Sequence, residues 1–403
     1  MKIIKKDGTV EGWNGEKIKE AVYKAAARVN QYVEPDVLNK LVEKVHSCLI
    51  IDRDAPTKDL HKEVIYYLKY FGLTDVANSY QEYRDYKNTY AKSFEKVKDE
   101  ADNVLLLGDR ENANFDSSLV STKGSLIKGY LTKELYRQFY LSKEEKELTK
   151  RGDIYIHDMR DMLMGSVNCC LFDIGNVLRG GFSMSNVDYT EPTSVLSALQ
   201  VIGDITLVAT AQQFGGFSLS QLDMVLLPYC HKTLEKAYEH AKHSFPDAGR
   251  LAWIAYSKDT LKNELKQGFQ SLELKLNTVP CSRGDFAFTT ISFGCWNAPQ
   301  WLGRYLTNKD LWILKEICEA ILTTRMNGHG ETHKPVVFPK LVYLYEENYL
   351  SAFQEARDVF ELAVECSSKC MYPDFLSLTG DWAHSSVGKQ YMENKQVVTP
   401  MGA

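Results

Sequence analysis

Phe286–Phe293 (FAFTTISF), Lys309–Met326 (KDLWILKEICEAILTTRM) and Val336–Tyr345 (VVFPKLVYLY) follow one another in this 403-residue chain with three different textures. The first alternates apolar and small polar residues with the period of two that a pleated strand requires. In the second, Leu311, Leu314, Ile317, Cys318 and Ile321 recur at helical spacing. The third is a β-branched and aromatic run that suits a strand. Strand, helix and strand in that order predict a crossover unit, two parallel strands joined by a helix.

The alternation extends in both directions from this unit. Upstream, Gly152–Asp158 reads as a short strand ending in polar groups, and Val167–Ile174 as a second, apolar strand. Thr193–Gln213 is a long amphipathic stretch stopped by Phe214-Gly215-Gly216, and Leu222–His243 and Ser257–Leu276 are helical. Downstream, Ala352–Lys369 is helical again. From about Asn103 onward the pattern predicts an α/β core with crossover helices.

The first ninety or so residues differ. Lys2–Lys5 and Thr9–Trp13 flank a Lys6-Asp7-Gly8 turn and predict a hairpin. Asn14 is placed as an N-cap, followed by Ile18, Ala21, Val22, Ala25, Ala26 and Val29 at helical spacing. Further helices are predicted over the Val37–Leu49 stripe, from Pro56-Thr57, and from Thr74 through a tyrosine-rich run. Hairpin plus four helices is a self-sufficient α+β module, assigned to residues 1–92. The charged stretch Lys92–Asp102 reads as a helix tail or linker, and residues 93–403 form the second domain.

Composition excludes several classes of function. Hydrophobic residues make up 44% and charged residues 25%, a globular profile rather than a disordered one. With 48 Lys+Arg against 53 Asp+Glu, the net charge of −5 gives no electrostatic basis for nucleic-acid binding. The lysines of the opening Met1–Lys6 stretch break any signal-peptide core, and Ser194–Phe217 carries Asp204 and three glutamines, so no membrane span is expected. Nine cysteines without a secretion signal suit a cytoplasmic protein with reduced thiols.

Two constellations can carry chemistry. In the N-terminal module, Lys5, Lys6, Glu11, Asn14, Lys17, Thr57, His61 and Lys87 lie on or beside short elements. Converging cations and N–H donors suit a triphosphate, and a carboxylate or amide can read a base or ribose. A solvated basic hairpin is the other reading. The second constellation is Asn168-Cys169-Cys170 on an expected strand. A thiol there can act as a redox or radical partner, or the pair can simply be buried. Neighbouring strand residues point to opposite faces, so one of the two at most faces a given site. Cys366/Cys370 and His329/His333 have i, i+4 spacing, but a structural zinc needs four ligands and no matching pair accompanies them, so no metal site is assigned.

The run Ile4–Ile18, with Thr57–His61 and Tyr83–Lys87, resembles the ATP-cone, a regulatory domain found in ribonucleotide reductases and in a transcriptional repressor. The resemblance implies ATP and dATP binding as an activity switch, with the eight residues named above as ligands. Asn112–Asp116, Gly152–Asp158, Asn168–Leu171, Gly180–Phe182 and Gln212–Gly216 resemble motifs of the anaerobic, class III ribonucleoside-triphosphate reductases. So do Asn277-Thr278, Ser282–Asp285, Val337–Leu341 and Met371–Asp374, in the family's order.

That family has a ten-stranded glycyl-radical α/β barrel and reduces ribonucleotides to deoxyribonucleotides by radical chemistry. A C-terminal glycyl radical generates a thiyl on a loop cysteine, the thiyl takes the substrate's 3′ hydrogen, and formate commonly supplies the reductant. By motif, Cys169 corresponds to the second active-site cysteine. His157 lies near that pocket in the resemblance, or orients a strand end. The Thr193–Gln213 helix resembles the family's homodimer helix, beside which a deoxynucleotide effector binds, and Glu191 stands at an effector contact. Ribonucleoside triphosphates, deoxynucleotide effectors and a radical-SAM activase are the implied partners.

Val397–Gly402 resembles the approach to the radical loop, but Ala403 stands where the family has its radical cysteine. The glycyl radical and the family's zinc belong to a C-terminal region after that position. The sequence therefore predicts the N-terminal part of such a reductase, with an incomplete barrel, inactive without a C-terminal portion. The reading of a different class is a nucleotide-binding regulatory or structural protein without catalysis.

Overall fold

The computed structural model describes residues 2–5, 8–49, 54–106, 116, 118–165, 167–184, 186–213, 215–281, 284–294, 296 and 303–379. The chain divides into two compact units, Met1–Asp99 and Glu100–Ala403. Lys6, Asn112–Phe115, Ser282-Arg283, Val397–Gly402 and Ala403, all used above, lie outside the described residues.

In the first unit, strands β1 (Lys2–Ile4) and β2 (Val10–Gly12) form the expected antiparallel hairpin, with Ile3 opposite Glu11. Asn14 caps α1 (Gly15–Arg28), its side-chain oxygen accepting from the Glu16 and Lys17 N–H groups. After α2 (Pro35–Leu49) comes a strand the sequence reading missed: β3 (Asp54–Pro56) pairs parallel to β1. The hairpin is thus the larger part of a three-stranded sheet, order β2-β1-β3. Ala55 enters the core beside Ile3, with Val22, Leu41, Val45, Val64 and Leu68 from the helices α1, α2 and α3 (Thr57–Tyr70). The fourth helix, α4, runs from Thr74 to Leu106.

In the second unit α5 (Val120–Phe139) and α6 (Lys143–Arg151) come first. Gly152–Asp158 is not a strand. Gly152 ends α6 in the left-handed conformation and Asp158 also has positive φ, so the segment turns instead of extending. The second expected strand shortens to β4 (Cys170–Phe172), because Asp173 caps α7 (Ile174–Leu178) immediately after it. A small hairpin, β5 (Phe182–Met184) and β6 (Val187–Tyr189), leads to α8 (Val195–Thr210), capped by Ser194. Then follow β7 (Phe217–Leu219), α9 (Leu222–Ser244), α10 (Gly249–Thr278), β8 (Thr289–Phe293) and α11 (Asn308–Asn327). The chain continues through β9 (Lys340–Tyr345), α12 (Glu347–Ala352), α13 (Gln354–Cys370) and β10 (Asp374–Ser377). No helix among the described residues is long and apolar enough to cross a membrane.

Strands β4, β7, β8, β9 and β10 form a five-stranded sheet, parallel throughout and ordered as they occur in the chain. Each connection therefore steps one strand over in the same direction, the expected result of repeated crossovers of one hand. One face, with Phe217, Leu219, Ile291, Phe293, Leu341 and Tyr343, joins the core built from α8, α9, α10, α11 and α13. Gly268 permits α10 to approach α8, since a Cβ there would lie 2.5 Å from Leu199 Cδ1.

Two buried charges tie these layers together. Arg325 on α11 is fully buried; its Nε donates to Glu273 on α10 at 2.8 Å and its Nη2 to the Pro339 carbonyl before β9 at 2.6 Å. His329 Nε2 meets the other Glu273 oxygen at 2.8 Å. Asp223, at the start of α9, accepts from the Gly294 N–H at 2.8 Å, the Met224 N–H at 2.9 Å and, at 3.7 Å, the Cys318 thiol.

Arg325→Ala should therefore destabilise the second unit by roughly 3–5 kcal/mol, because it strands Glu273 in the interior. Denaturant unfolding should show the Arg325→Met/Glu273→Leu pair losing much less; equal losses would refute the assignment. Burial pushes the Asp223 carboxyl up to about 6, against the pull of its hydrogen-bond donors. An unfolded carboxylate titrates near 4, so the stability Asp223 contributes is full below that pH and lost as pH rises to about 6, by up to roughly 3 kcal/mol. The wild-type minus Asp223→Asn difference in unfolding free energy should follow this curve, and a flat difference would exclude it.

Candidate functional site

The strand-entering residue Cys169 and its neighbour Cys170 are held by one turn, Gln213–Gly216. Val167 bridges Gln213 in parallel fashion, and the Gly215 N–H donates to the Asn168 carbonyl at 2.6 Å. The Cys170 N–H in turn donates to the Gly216 carbonyl at 3.0 Å. Gln213 is buried; its Nε2 donates to the Gly215 and Gly216 carbonyls, and its Oε1 accepts from the Cys170 thiol at 3.0 Å. The Gly216 N–H donates to Cys169 Sγ at 3.2 Å. Gly215 is required by space: a Cβ would sit 2.2 Å from Asn168 Oδ1 and 2.4 Å from Cys169 Sγ.

The two thiols have different surroundings. Cys170 pairs with Phe217 in register and packs against the helix-covered core. Burial, with the adjacent Cys169, pushes its thiol up. Leu171 lies on the opposite face with Ser218 and Thr290, and alternation carries Cys169 to that side. His157 sits in the turn after α6, with 72% of its side chain exposed; its Nδ1 contacts the Asp158 carboxylate and its ring lies edge-on to Tyr155.

In the first unit the structure brings Lys5, Glu11 and Lys17 together. Ile3 is opposite Glu11, and Lys5 follows β1 directly, two residues after Ile3 and so on the face of Glu11. Lys17 reaches the same point from the first turn of α1. Glu11 Oε2 meets Lys5 Nζ at 2.8 Å and Glu11 Oε1 meets Lys17 Nζ. The hydrogen bond from Lys17, reinforced by Lys5, holds the Glu11 carboxyl down to about 2. Thr57 donates to the Ile4 carbonyl at 2.8 Å and so fastens α3 to β1. His61 Nδ1 meets the Tyr80 hydroxyl at 2.5 Å, and Lys87 lies over the Tyr83 ring at 5.0 Å beside Arg28 at 4.1 Å. Lys5, Glu11, Asn14 and Lys17 are thus one cluster, while Thr57, His61 and Lys87 make their own local contacts.

Glu191 precedes α8 and is bound by Lys232 of α9 at 2.5 Å and by the Gly180 N–H at 3.4 Å. The Lys232 bond holds its carboxyl below the usual range. Sequence reasoning missed a further buried cluster, in which Asp310 accepts from Arg304, Thr307 and His231. Burial raises the Asp310 carboxyl, but those hydrogen bonds outweigh it and hold the group well below the usual range. The signal was present in Thr307-Asn308-Lys309-Asp310, which forms a reciprocal capping box at α11. Cys366 and Cys370 donate to the carbonyls of Leu322 and Arg325.

A family model described as anaerobic ribonucleoside-triphosphate reductase matches residues 111–403, and an ATP cone domain model matches residues 1–89. The chain belongs to the anaerobic ribonucleoside-triphosphate reductase family. It is 30% identical to the anaerobic ribonucleoside-triphosphate reductase of Haemophilus influenzae over 392 residues, 93% of this chain and 52% of that protein. The Escherichia coli reductase is 29% identical over 384 residues, 93% of this chain and 51% of its own length. The phage T4 reductase is 32% identical over 295 residues, 72% of this chain and 44% of its own. The chain spans about half the length of the curated relatives it matches. Among solved structures, the Thermotoga maritima anaerobic ribonucleotide reductase in complex with dATP and CTP aligns with 74% of this chain and 50% of that one, at 16% identity and a TM-score of 0.47. Both held cysteines and the Gln213–Gly216 turn fall within the reductase-family match.

Gly215→Ala should displace Asn168 and Cys169 together and break the Gly216 N–H bond to Cys169. Peptide-resolved alkylation should show a severalfold change in the rate at Cys169, with Cys48 of the first unit unchanged. Unaltered alkylation at Cys169 would mean that the turn does not hold it.

Proposed function

We propose that the chain forms the N-terminal part of an anaerobic ribonucleoside-triphosphate reductase, converting ribonucleotides to deoxyribonucleotides under ATP and dATP control. Residues 1–92 are the ATP-cone and residues 93–403 the reductase portion. The observation that carries this reading is the Cys169 thiol, fixed by the Gly216 N–H where a parallel sheet begins, in a chain matched by both family models.

In this reading Cys169 faces the ribose of the substrate and Cys170 secures the strand from behind. Gly216 orients the Cys169 sulfur, and Gln213 keeps the turn closed by satisfying both glycine carbonyls. The glycyl radical supplies hydrogen-atom abstraction in the family, and the contribution of the described residues is a positioned thiol. His157 is assigned to the same pocket. Five parallel strands in chain order are what half of a ten-stranded barrel would contribute. Helix α8 is assigned to a homodimer contact, and Glu191, fixed by Lys232, to the specificity effector beside it. ATP and dATP are assigned to the cone, with Lys5, Lys6, Lys17 and Lys87 toward phosphates and Glu11, Asn14, Thr57 and His61 completing the site. The converging cations and the capped start of α1 suit a polyphosphate. A radical-SAM activase and a C-terminal reductase portion are the proposed partners.

The test is anaerobic turnover of a ribonucleoside triphosphate by this chain mixed with a complementary C-terminal polypeptide, activase, S-adenosylmethionine and formate. Wild type should yield deoxynucleotide, Cys169→Ser none, and Cys170→Ser a reduced but measurable amount. Turnover by Cys169→Ser at the wild-type rate would overturn the assignment of that thiol. No product from wild type would favour a nucleotide-binding protein without catalysis.

A further inference from the structure

We infer that Lys340 and Thr290 form a subsite for the phosphate chain of the nucleotide whose ribose Cys169 faces. The inference rests on the reductase reading proposed above and deepens it. Strand register places the two residues. Leu171, Ser218, Thr290 and Lys340 stand side by side across β4, β7, β8 and β9, on the face to which alternation carries Cys169. The Lys340 ammonium lies over the ring of Phe288, 4.9 Å from its centroid. Phe288 immediately precedes β8, so the cation reaches one strand nearer to Cys169 than its own backbone. Two strand spacings, roughly 10 Å, then separate it from the strand that Cys169 enters. A ribose with its triphosphate covers such a span.

Two independent features of this row call for an anion. Lys340 is half-buried, yet among the described residues its ammonium meets the Phe288 ring and no carboxylate. Asp374, on the same face of the neighbouring strand β10, makes no ion pair with it. Arg325, by contrast, is neutralised by Glu273. Cations drawn out of water need such a countercharge. The second feature is Thr290, beside Lys340 in register and fully buried, whose hydroxyl has no hydrogen-bond partner. A buried donor left unmet costs stability. One phosphate oxygen between ammonium and hydroxyl would satisfy both, with the charge-assisted bonds that phosphate favours.

The experiment follows acylation of Lys340 and alkylation of Cys169 in the full chain, peptide by peptide, during titration with inorganic tripolyphosphate or a ribonucleoside triphosphate. Both ligands should slow acylation of Lys340, and the ribonucleoside triphosphate should also slow alkylation of Cys169. Thr290→Val removes the hydroxyl and should raise the concentration needed to protect Lys340 by roughly threefold to tenfold. Thr290→Ser keeps the hydroxyl and should match wild type, and matching circular-dichroism melts would show that both variants fold. Unchanged acylation of Lys340, with Lys5 and Lys17 of the cone protected, would overturn the inference and leave the cone reading standing. Equal protection in wild type and Thr290→Val would overturn it as well, since Lys340 would then act as a lone cation. Protection of Lys340 by both ligands with no effect at Cys169 would refute the assignment to the substrate. Absence of product in the turnover test, with Lys340 and Cys169 both protected, would refute the reductase reading and leave the phosphate subsite standing.

Discussion

The second unit depends on one buried ion pair, Arg325 with Glu273. Arg325 has no exposed surface, and its Nε and Nη2 donors are met by elements distant in sequence. Glu273 comes from α10, the Pro339 carbonyl from the approach to β9, and His329 from the chain after α11. Asn277, one turn beyond Glu273 on α10, takes the Phe338 N–H and donates to its carbonyl. Strand β9 is thus attached to the helical layer by polar contacts at its beginning, while Leu341 and Tyr343 attach it by burial further along. Apolar packing alone would allow the strand to slide by a residue pair, and directional bonds to fixed carbonyls do not.

The first unit relies on a different balance. Its hydrophobic core runs from Ile3 and Val22 to Leu68 and Val76, and no charged residue is buried among its described residues. Its cluster of Lys5, Glu11 and Lys17 lies at the rim, where the strands meet the start of α1. Charge there is available for exchange with solvent or ligand, whereas the charge of Arg325 is committed to structure.

Much of this was legible in the sequence, and the limits have physical causes. Helical periodicity located α9, α11 and α13 to within a few residues, and Asn14 was identifiable as a cap because its side chain bonds locally. Strands were harder. Asp54–Pro56 has neither alternation nor β-branched residues, and it is a strand only because β1 offers a partner. Gly152–Asp158 reads as a short strand through Ile154-Tyr155-Ile156, but positive φ at Gly152 and Asp158 turns it. The Cys169–Cys170 site was visible as a motif, though its support was not, since Gln213 acts across 43 residues of sequence. Arg325 also gave a signal that went unread. Arg325 stands at the end of a helix buried over much of its surface, so it had to find a buried partner, but nothing local indicated that the partner was Glu273, 52 residues earlier.

The Gln213–Gly216 turn has an evolutionary consequence. It touches Cys169 through a backbone N–H and Cys170 through a side-chain amide, so it serves two sheet faces at once. Mutational drift on one face cannot then proceed independently of the other. A replacement at position 213 that suited the core beneath Cys170 would also release the carbonyls that shape the turn around Cys169. A replacement at position 215 would collide with Asn168 and with the Cys169 sulfur. The packing beneath Cys170 and the geometry around Cys169 therefore depend on the same residues, Gln213, Gly215 and Gly216, and neither can be altered alone.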